Sequence, residues 1–385
     1  MVLTDLQNKA MKQIRNWYLT FHIKKKPYYV LAGIAGSGKS TLVSYLIDDL
    51  AIEEVVTATY TGMAASVLMK KGNENSSTIH RLIYDTKVIE DSKTKKKSFI
   101  TELKPKESLN HIDLIIIDEY SMVPDKMLDD ILSFEKPVLF LGDPCQLPPI
   151  FGDNRLEYDF FLDEPHRQAL DNPILLIANY ARNGEFDKIR LGTYGDTVRV
   201  LSRLDFDEDC IFKSDQIICG KNATVRDLNL FYRSEFLGFQ DNLIRSDEKI
   251  MCLANNWELD NGKGFSLVNG LIGRASNIRV KNKTKIYELD FTPNGIDMFK
   301  NVVVDKLSFE DKALDRKTEL LRLPLIDAVG KLNDFIYAYA ITTHKSQGSE
   351  FPYVTFFPEM LDKKNYYRLF YTGVTRASEK LDIII

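Results

Sequence analysis

The sequence predicts an α/β protein built on parallel sheets, and three observations carry that expectation. Short apolar runs alternate with helical patterns from about Tyr28 to Leu147. Those runs, at 28–31, 55–59, 114–117 and 138–141, are apolar on both faces, as strands covered by helices on both sides must be. The same alternation returns at 335–341, 354–357 and 381–385, beyond a β-rich stretch. The expected architecture is therefore an α/β core in two parts, the second interrupted by a small β insert.

Bulk composition bounds the function. The chain has 385 residues, enough for two or three domains, and 44% hydrophobic residues support real cores. Lys and Arg number 51 against 55 Asp and Glu, a net charge of −4. That disfavours a uniformly basic nucleic-acid binder but leaves room for a local positive groove. Cys145, Cys210, Cys219 and Cys252 have no metal-ligand spacing, which fits a reducing compartment. The first residues do not read as a signal peptide, and no run is apolar enough to span a membrane. A cytoplasmic location is expected.

Taken in order, the first chemical signal is Gly33-Ile34-Ala35-Gly36-Ser37-Gly38-Lys39-Ser40. It matches the P-loop pattern, and it stands between an apolar strand and a helical stretch at 41–50 with Leu42, Leu46 and Leu50 on one stripe. Backbone amides around Gly33, Gly36, Ser37 and Gly38, backed by the helix start at Thr41, would wrap phosphates. Lys39 would reach the β- and γ-phosphates, and Ser40 would hold Mg²⁺. Residues 84–103 read as two strands around a polar turn at 91–97, a hairpin inside the α/β domain. Next, Leu114-Ile115-Ile116-Ile117-Asp118-Glu119 sets two carboxylates at the end of a buried strand. Asp118 would bind Mg²⁺ through water and Glu119 would orient and deprotonate the attacking water. Between residues 249 and 307, Asn269-Gly270 predicts a tight hairpin between its flanking strands, and residues 278–291 alternate around a lysine-rich turn at 281–285. This region reads as a small antiparallel barrel.

P-loop plus acidic pair defines a nucleotide hydrolase or phosphotransferase and no more. Further strings narrow the choice. Leu141-Gly142-Asp143-Pro144-Cys145-Gln146-Leu147-Pro148-Pro149 resembles motif III of superfamily 1 helicases. Leu162-Asp163-Glu164-Pro165-His166-Arg167-Gln168 resembles motif IV. Tyr339 to Gly348, with Thr343-His344-Lys345-Ser346-Gln347-Gly348, resembles motif V, and Tyr371-Thr372-Gly373-Val374-Thr375-Arg376-Ala377 motif VI. Thr57 to Ala65 resembles motif Ia, Ser77-Thr78-Ile79-His80 the segment after it, and Gln7 the adenine-reading glutamine. The string from Thr343 to Gly348 is similar to the RecD-like branch, and there to compact phage helicases of the Dda type. The UvrD type more usually has a serine-alanine-lysine-glycine order at that place, together with large helical inserts.

The resemblance implies two RecA-like lobes: residues 1–155, with a β-hairpin pin at 84–106, and residues 156–248 plus 331–385, interrupted by an SH3-like barrel at 249–330. It implies ATP and Mg²⁺ as cofactors. Gln146 would sense the γ-phosphate, Arg167 and Arg376 would act as arginine fingers, and Gln7, Gln347 and Gly348 would border the nucleotide. Thr59, Tyr60, Thr61, Met63, Thr78, His80, Phe99, Pro148, Thr343, His344 and Lys345 would line the strand path, with Phe99 as the pin. The implied partners are single-stranded DNA, forked or tailed duplexes, and replication or recombination proteins. The implied state is a monomer that moves 5′ to 3′. His80, His166 and His344 fall inside these strings with no spacing suited to a metal cage. The rival classes are a nucleotide-kinase-like phosphotransferase, which would lack the arginine motifs, and a non-enzymatic binding module, which would not need Lys39 and Glu119.

Overall fold

The computed structural model describes residues 3–385 except 71–72, 74, 91–96, 149–154, 165–170, 205, 263–264, 282–285, 310–331 and 360–362. The chain forms two compact units, one of residues 1–60, 68–198 and 362–376, the other of residues 61–67, 199–361 and 377–385.

In the first unit, helix α1 (Asp5–Lys24) opens with a capping box in which Thr4 and Gln7 satisfy each other's backbone amides. Gln7, Ala10, Ile14 and Trp17 recur at three- and four-residue spacing and are its buried face. The strands that follow are β1 (Tyr28–Gly33), β2 (Val55–Thr59) and β3 (Ser76–Thr78), a hairpin of β4 (Tyr84–Glu90) and β5 (Lys97–Leu103), then β6 (Leu114–Asp118), β7 (Val138–Gly142), β8 (Phe160–Leu162) and β9 (Gly192–Tyr194). The sheet runs β3-β2-β6-β7-β1-β8, and its printed pairs are parallel. Two apolar layers cover it. Helices α1 and α2 (Lys39–Leu50) pack one face around Ile14, Leu42 and Leu139. Ile79, Leu128 and Phe140 centre the other.

Three boundaries depart from the sequence reading. The sheet does not stop at residue 155, because β8 pairs in parallel with β1, Leu31 opposite Phe160. Residues 362–376 group with the first unit rather than the second. Their helix, α9 (Tyr366–Val374), which follows α5 (Asp125–Leu132), α6 (Pro173–Arg182), α7 (Asp209–Lys213) and α8 (Asn222–Phe231) in the chain, packs against α6 and hydrogen-bonds to the P-loop strand connection. The β insert also extends past residue 330.

In the second unit, strands β10 (Val198–Leu201), β11 (Gln216–Cys219), β19, β20 and β21 form a parallel-rich sheet in the order β19-β11-β20-β21-β10. Here β19 is Ala340–Thr342, β20 Phe351–Phe357 and β21 Ala377–Ile384. The insert contains β12 (Lys249–Cys252), β13 (Asn256–Asp260), β14 (Ser266–Leu267), β15 (Ile272–Lys281), β16 (Ile286–Pro293), β17 (Phe299–Asp305) and β18 (Phe335–Tyr337). Five of these make an antiparallel sheet in the order β17-β16-β15-β12-β18. One bridge, Val304 to Asn333, ties β17 to the residues entering β18, so the two sheet edges meet there. The run at 335–341 is thus divided: β18 pairs antiparallel with β12 in the insert, and β19 pairs parallel with β11.

Asn269-Gly270 does not close the hairpin expected of it. β14 pairs with β13, and the strand after the turn pairs with β12 and β16. Gly270 does adopt φ +90°, but the turn passes the chain from one sheet to another. Turn residues fix a local bend, and strand pairing is settled by which apolar faces are covered.

Two ion pairs, one buried on both sides and one on its acidic side only, brace the second unit. Arg233, 1% exposed, donates to Glu248 at 2.7 Å and stacks 4.1 Å over the Tyr337 ring. Asp382, fully buried, accepts Nε and Nη2 of Arg199 at 2.8 and 2.5 Å. Among the described residues no helix is long and apolar enough to cross a membrane.

Candidate active site and nucleic-acid interface

The phosphate loop follows β1 and leads into α2. Gly38 has φ +80°, a conformation that favours glycine, and a Cβ there would also stand 2.6 Å from Gln7 Nε2 and push that amide aside. Gln7 is 4% exposed. Its Nε2 donates to the Ser37 carbonyl at 3.0 Å, and its Oε1 accepts the Thr4 amide at 3.0 Å. The amide expected to read adenine is therefore committed in part to bracing the loop. Lys39 Nζ folds onto the loop and donates to the carbonyls of Gly33 at 2.6 Å and Ile34 at 3.1 Å. Gly36 and Ser40 are exposed, and Thr41 is half-buried on the first turn of α2.

Asp118 ends β6, next to β2 and β7 in the sheet. Its Oδ1 accepts the Glu119 amide at 2.8 Å. Glu119 has φ +54°, an uncommon conformation for a side chain this size, of the kind that collects at functional sites. Its Oε2 is buried with no hydrogen-bond partner. Burial first, then the Asp118 charge, hold its carboxyl above the ordinary carboxylate range, while Arg376 and Lys39 pull it back. Two more buried oxygens lack partners beside this centre, Ser37 Oγ and Gln146 Oε1. Native proteins rarely leave buried polar atoms unpaired, so such a cluster marks a place where a polar ligand completes the bonding. The hydroxyl of Ser40 and the carboxylate of Asp118 are hard oxygen donors of the kind Mg²⁺ takes, so the residues fit that ion.

Helix α9 (Tyr366–Val374) carries the motif VI string. Arg376, just past it, is 5% exposed, and its Nε donates to the Thr372 carbonyl at 3.1 Å. Sequence reading assigned Arg376 to a second lobe; the fold groups it with the P-loop unit. It named Tyr371 and Thr372 within the motif VI string but gave them no role. Their only signal was membership of the same string. Arg167 lies outside the described residues, as does His166.

The expected strand path divides by exposure. Tyr60, Pro148, His344 and Lys345 are half-buried, as are Thr61 and His80. Thr61 Oγ1 caps α3 (Gly62–Lys70) by accepting the Ala64 amide. Thr78 caps α4 (Ile79–Ile83) in the same way at Arg81. His80 lies 5.3 Å from the Tyr84 ring, and burial lowers the proton affinity of His80, His344 and Lys345 alike. Thr59 and Met63 are buried. Thr343 corrects the expectation. It is fully buried, and its hydroxyl donates to the Cys219 carbonyl at 3.1 Å, so it ties β19 to β11 rather than offering a phosphate contact. Gln347 is 2% exposed, and Gly348 at φ +73° lets the chain pass where a Cβ would meet Ala64 at 2.6 Å. The hairpin pairs Val88 with Phe99 in register. The Phe99 side chain and the lysines of the turn at 91–96 lie outside the described residues.

A strand, a glycine loop over a helix start, and an acidic pair at the end of β6, two strands away in the same sheet, define a P-loop nucleotide hydrolase or phosphotransferase. Residues 7–157 match the AAA domain family, and residues 337–384 match the UvrD-like helicase C-terminal domain. The chain is 26% identical to the ATP-dependent DNA helicase Pif1 of Campylobacter jejuni, over 83% of this chain and 80% of that one. It is 29% identical to the ATP-dependent DNA helicase dda of phage T4, over 43% and 41%. An uncharacterized protein of Methanocaldococcus jannaschii is 24% identical over 92% of this chain, which spans only 36% of that protein. Bacteroides Pif1 bound to single-stranded DNA has the same fold, with a TM-score of 0.57 at 20% identity, covering 100% of this chain and 92% of that one. The chain is thus similar to Pif1- and Dda-type helicases of superfamily 1. The Dda likeness read in the sequence holds, and the likeness to Pif1 covers more of the chain.

Proposed function

We propose that this chain is an ATP-dependent DNA helicase that moves 5′ to 3′ on single-stranded DNA and acts as a monomer. One observation carries the reading: the buried Glu119 carboxylate, with an unpartnered oxygen, stands beside Asp118 within the electrostatic reach of Lys39 and Arg376. A carboxylate held with raised proton affinity and placed among cations suits a general base for water attacking a phosphoryl group. Lys39 and the loop amides hold the phosphates. Ser40 and Asp118 would hold Mg²⁺, whose charge would offset that of the phosphates. Gln146 senses the γ-phosphate, and Arg376, with Arg167, stabilises the transferring group. Gln7 supports the loop and borders the base, and Gln347 and Gly348 belong to the nucleotide-coupled string of the second unit. Tyr60, Thr61, Thr78, His80, Pro148, His344 and Lys345 contact the strand, with backbone and hydroxyl groups on phosphates, so contact is largely independent of sequence. Phe99 splits the duplex at the hairpin. Hydrolysis is coupled to stepping along the strand.

The test is strand displacement on 5′-tailed and 3′-tailed duplexes, with DNA or RNA tails, with and without ATP. ATP-dependent unwinding of the 5′-tailed DNA substrate is expected. Unwinding of 3′-tailed duplexes alone overturns the polarity, and equal ATP turnover with and without DNA overturns the helicase reading.

A further inference from the structure

We propose that the Tyr371 hydroxyl is a positioning group for hydrolysis, a latch that ties the tip of the phosphate loop to the turn carrying Gln146. The proposal rests on the ATPase reading above. Tyr371 is 2% exposed on α9. Its oxygen accepts the Ala35 amide at 2.9 Å, and its proton goes to Asp143 Oδ2. A phenol has one proton to give, so both directions are fixed. Ala35 sits at the tip of the loop, between Gly33 and Gly36. Asp143, 1% exposed, passes the connection on: its Oδ1 accepts the Cys145 amide at 2.9 Å, and its carbonyl accepts the Gln146 amide at 3.1 Å. The next residue of α9 grips the far side, since Thr372 Oγ1 accepts the Leu147 amide at 3.0 Å. Gln146 is thus held from both flanks by one helix, while its own Oε1 is buried and unpaired.

The hydroxyl has no packing task that a phenyl ring could not perform. Phe370, its neighbour on α9, is itself buried at 2% exposure. What the hydroxyl adds is two directed bonds, one to the phosphate loop and one to a buried carboxylate. The same short helix leads into Arg376, whose Nε bonds back to Thr372. Any shift of α9 therefore moves the loop tip, the Gln146 turn and the arginine together, which lets the site respond as a unit to what the loop holds.

Tyr371→Phe tests this, because it deletes only the oxygen. A hydrogen bond to a charged group governs roughly a tenfold change. The expected result is a fall of about tenfold or more in kcat for ATP, with KM within about threefold and melting temperature close to the parent chain. Asp143→Asn leaves one amide oxygen to serve both the phenol and the Cys145 amide, so it should also lower kcat, and the double variant should cost clearly less than the two single effects combined. A kcat within about twofold of the parent overturns the latch, as do additive effects of the two substitutions. So does a joint loss of melting temperature, KM and kcat, which marks a merely structural hydroxyl. Rates are read with and without single-stranded DNA. A parent chain without DNA stimulation refutes the helicase reading, and the latch is then judged on basal turnover.

Discussion

Replacing Glu119 with glutamine separates catalysis from stability at a single atom. The side chain keeps its shape and loses its charge. Loss of a general base costs roughly 10²–10⁴-fold in turnover, so Glu119→Gln should bind ATP and scarcely hydrolyse it. The same change should stabilise the fold. Burial and Asp118 hold this carboxyl above its unfolded affinity for a proton, against the pull of Arg376 and Lys39. The wild-type chain therefore loses stability as pH rises from the ordinary carboxylate range through the raised value, because the folded site must ionise a group it disfavours. Each pKa unit of that rise is worth about 1.4 kcal/mol, and 1 kcal/mol moves the melting temperature of a mid-sized domain by roughly 2–4 °C. Glutamine removes the penalty. Nucleotide-free differential scanning calorimetry from pH 5 to pH 8 should show the variant gaining on the wild type as pH rises. The wild-type kcat should also fall on the acid side at a pH above that of a free glutamate. A melting difference that does not change with pH, or hydrolysis by the variant near the wild-type rate, refutes this account of Glu119.

Arg376→Ala should lower ATP turnover by about 10³-fold or more, the scale of a lost arginine finger, and leave nucleotide-free DNA affinity in a filter-binding assay nearly unchanged. Phe99→Ala should lower duplex unwinding by roughly tenfold or more, with DNA-stimulated ATPase and translocation retained, because one stacked base is worth ~1–3 kcal/mol; equal falls in all three would make Phe99 a packing residue. Arg233→Ala should destabilise the second unit by about 3–5 kcal/mol in chemical denaturation, since it strands the Glu248 carboxylate in a buried position.

Much of this protein was legible without coordinates. The phosphate loop, the acidic pair and the strands that present them are contiguous in sequence, and local periodicity with glycine spacing specifies them. Thus β2 spans the residues expected of it, and β1, β6 and β7 run only one or two residues past theirs. The hairpin was readable for the same reason, its arms being separated only by a polar turn. Tertiary structure alone decided where long-range partners fell. Ala35 and Tyr371 lie 336 residues apart in the chain, and no spacing rule joins them. The short strand β8 carried too little pattern to show that it would extend the first sheet, and Asn269-Gly270 announced a turn without naming the strands on either side. Thr343 carried a hydroxyl suited to phosphate, but packing of β19 against β11 consumed it. A sequence states what a residue is able to bond; which neighbour takes the bond is fixed only when apolar faces are covered and every buried polar group has found a partner.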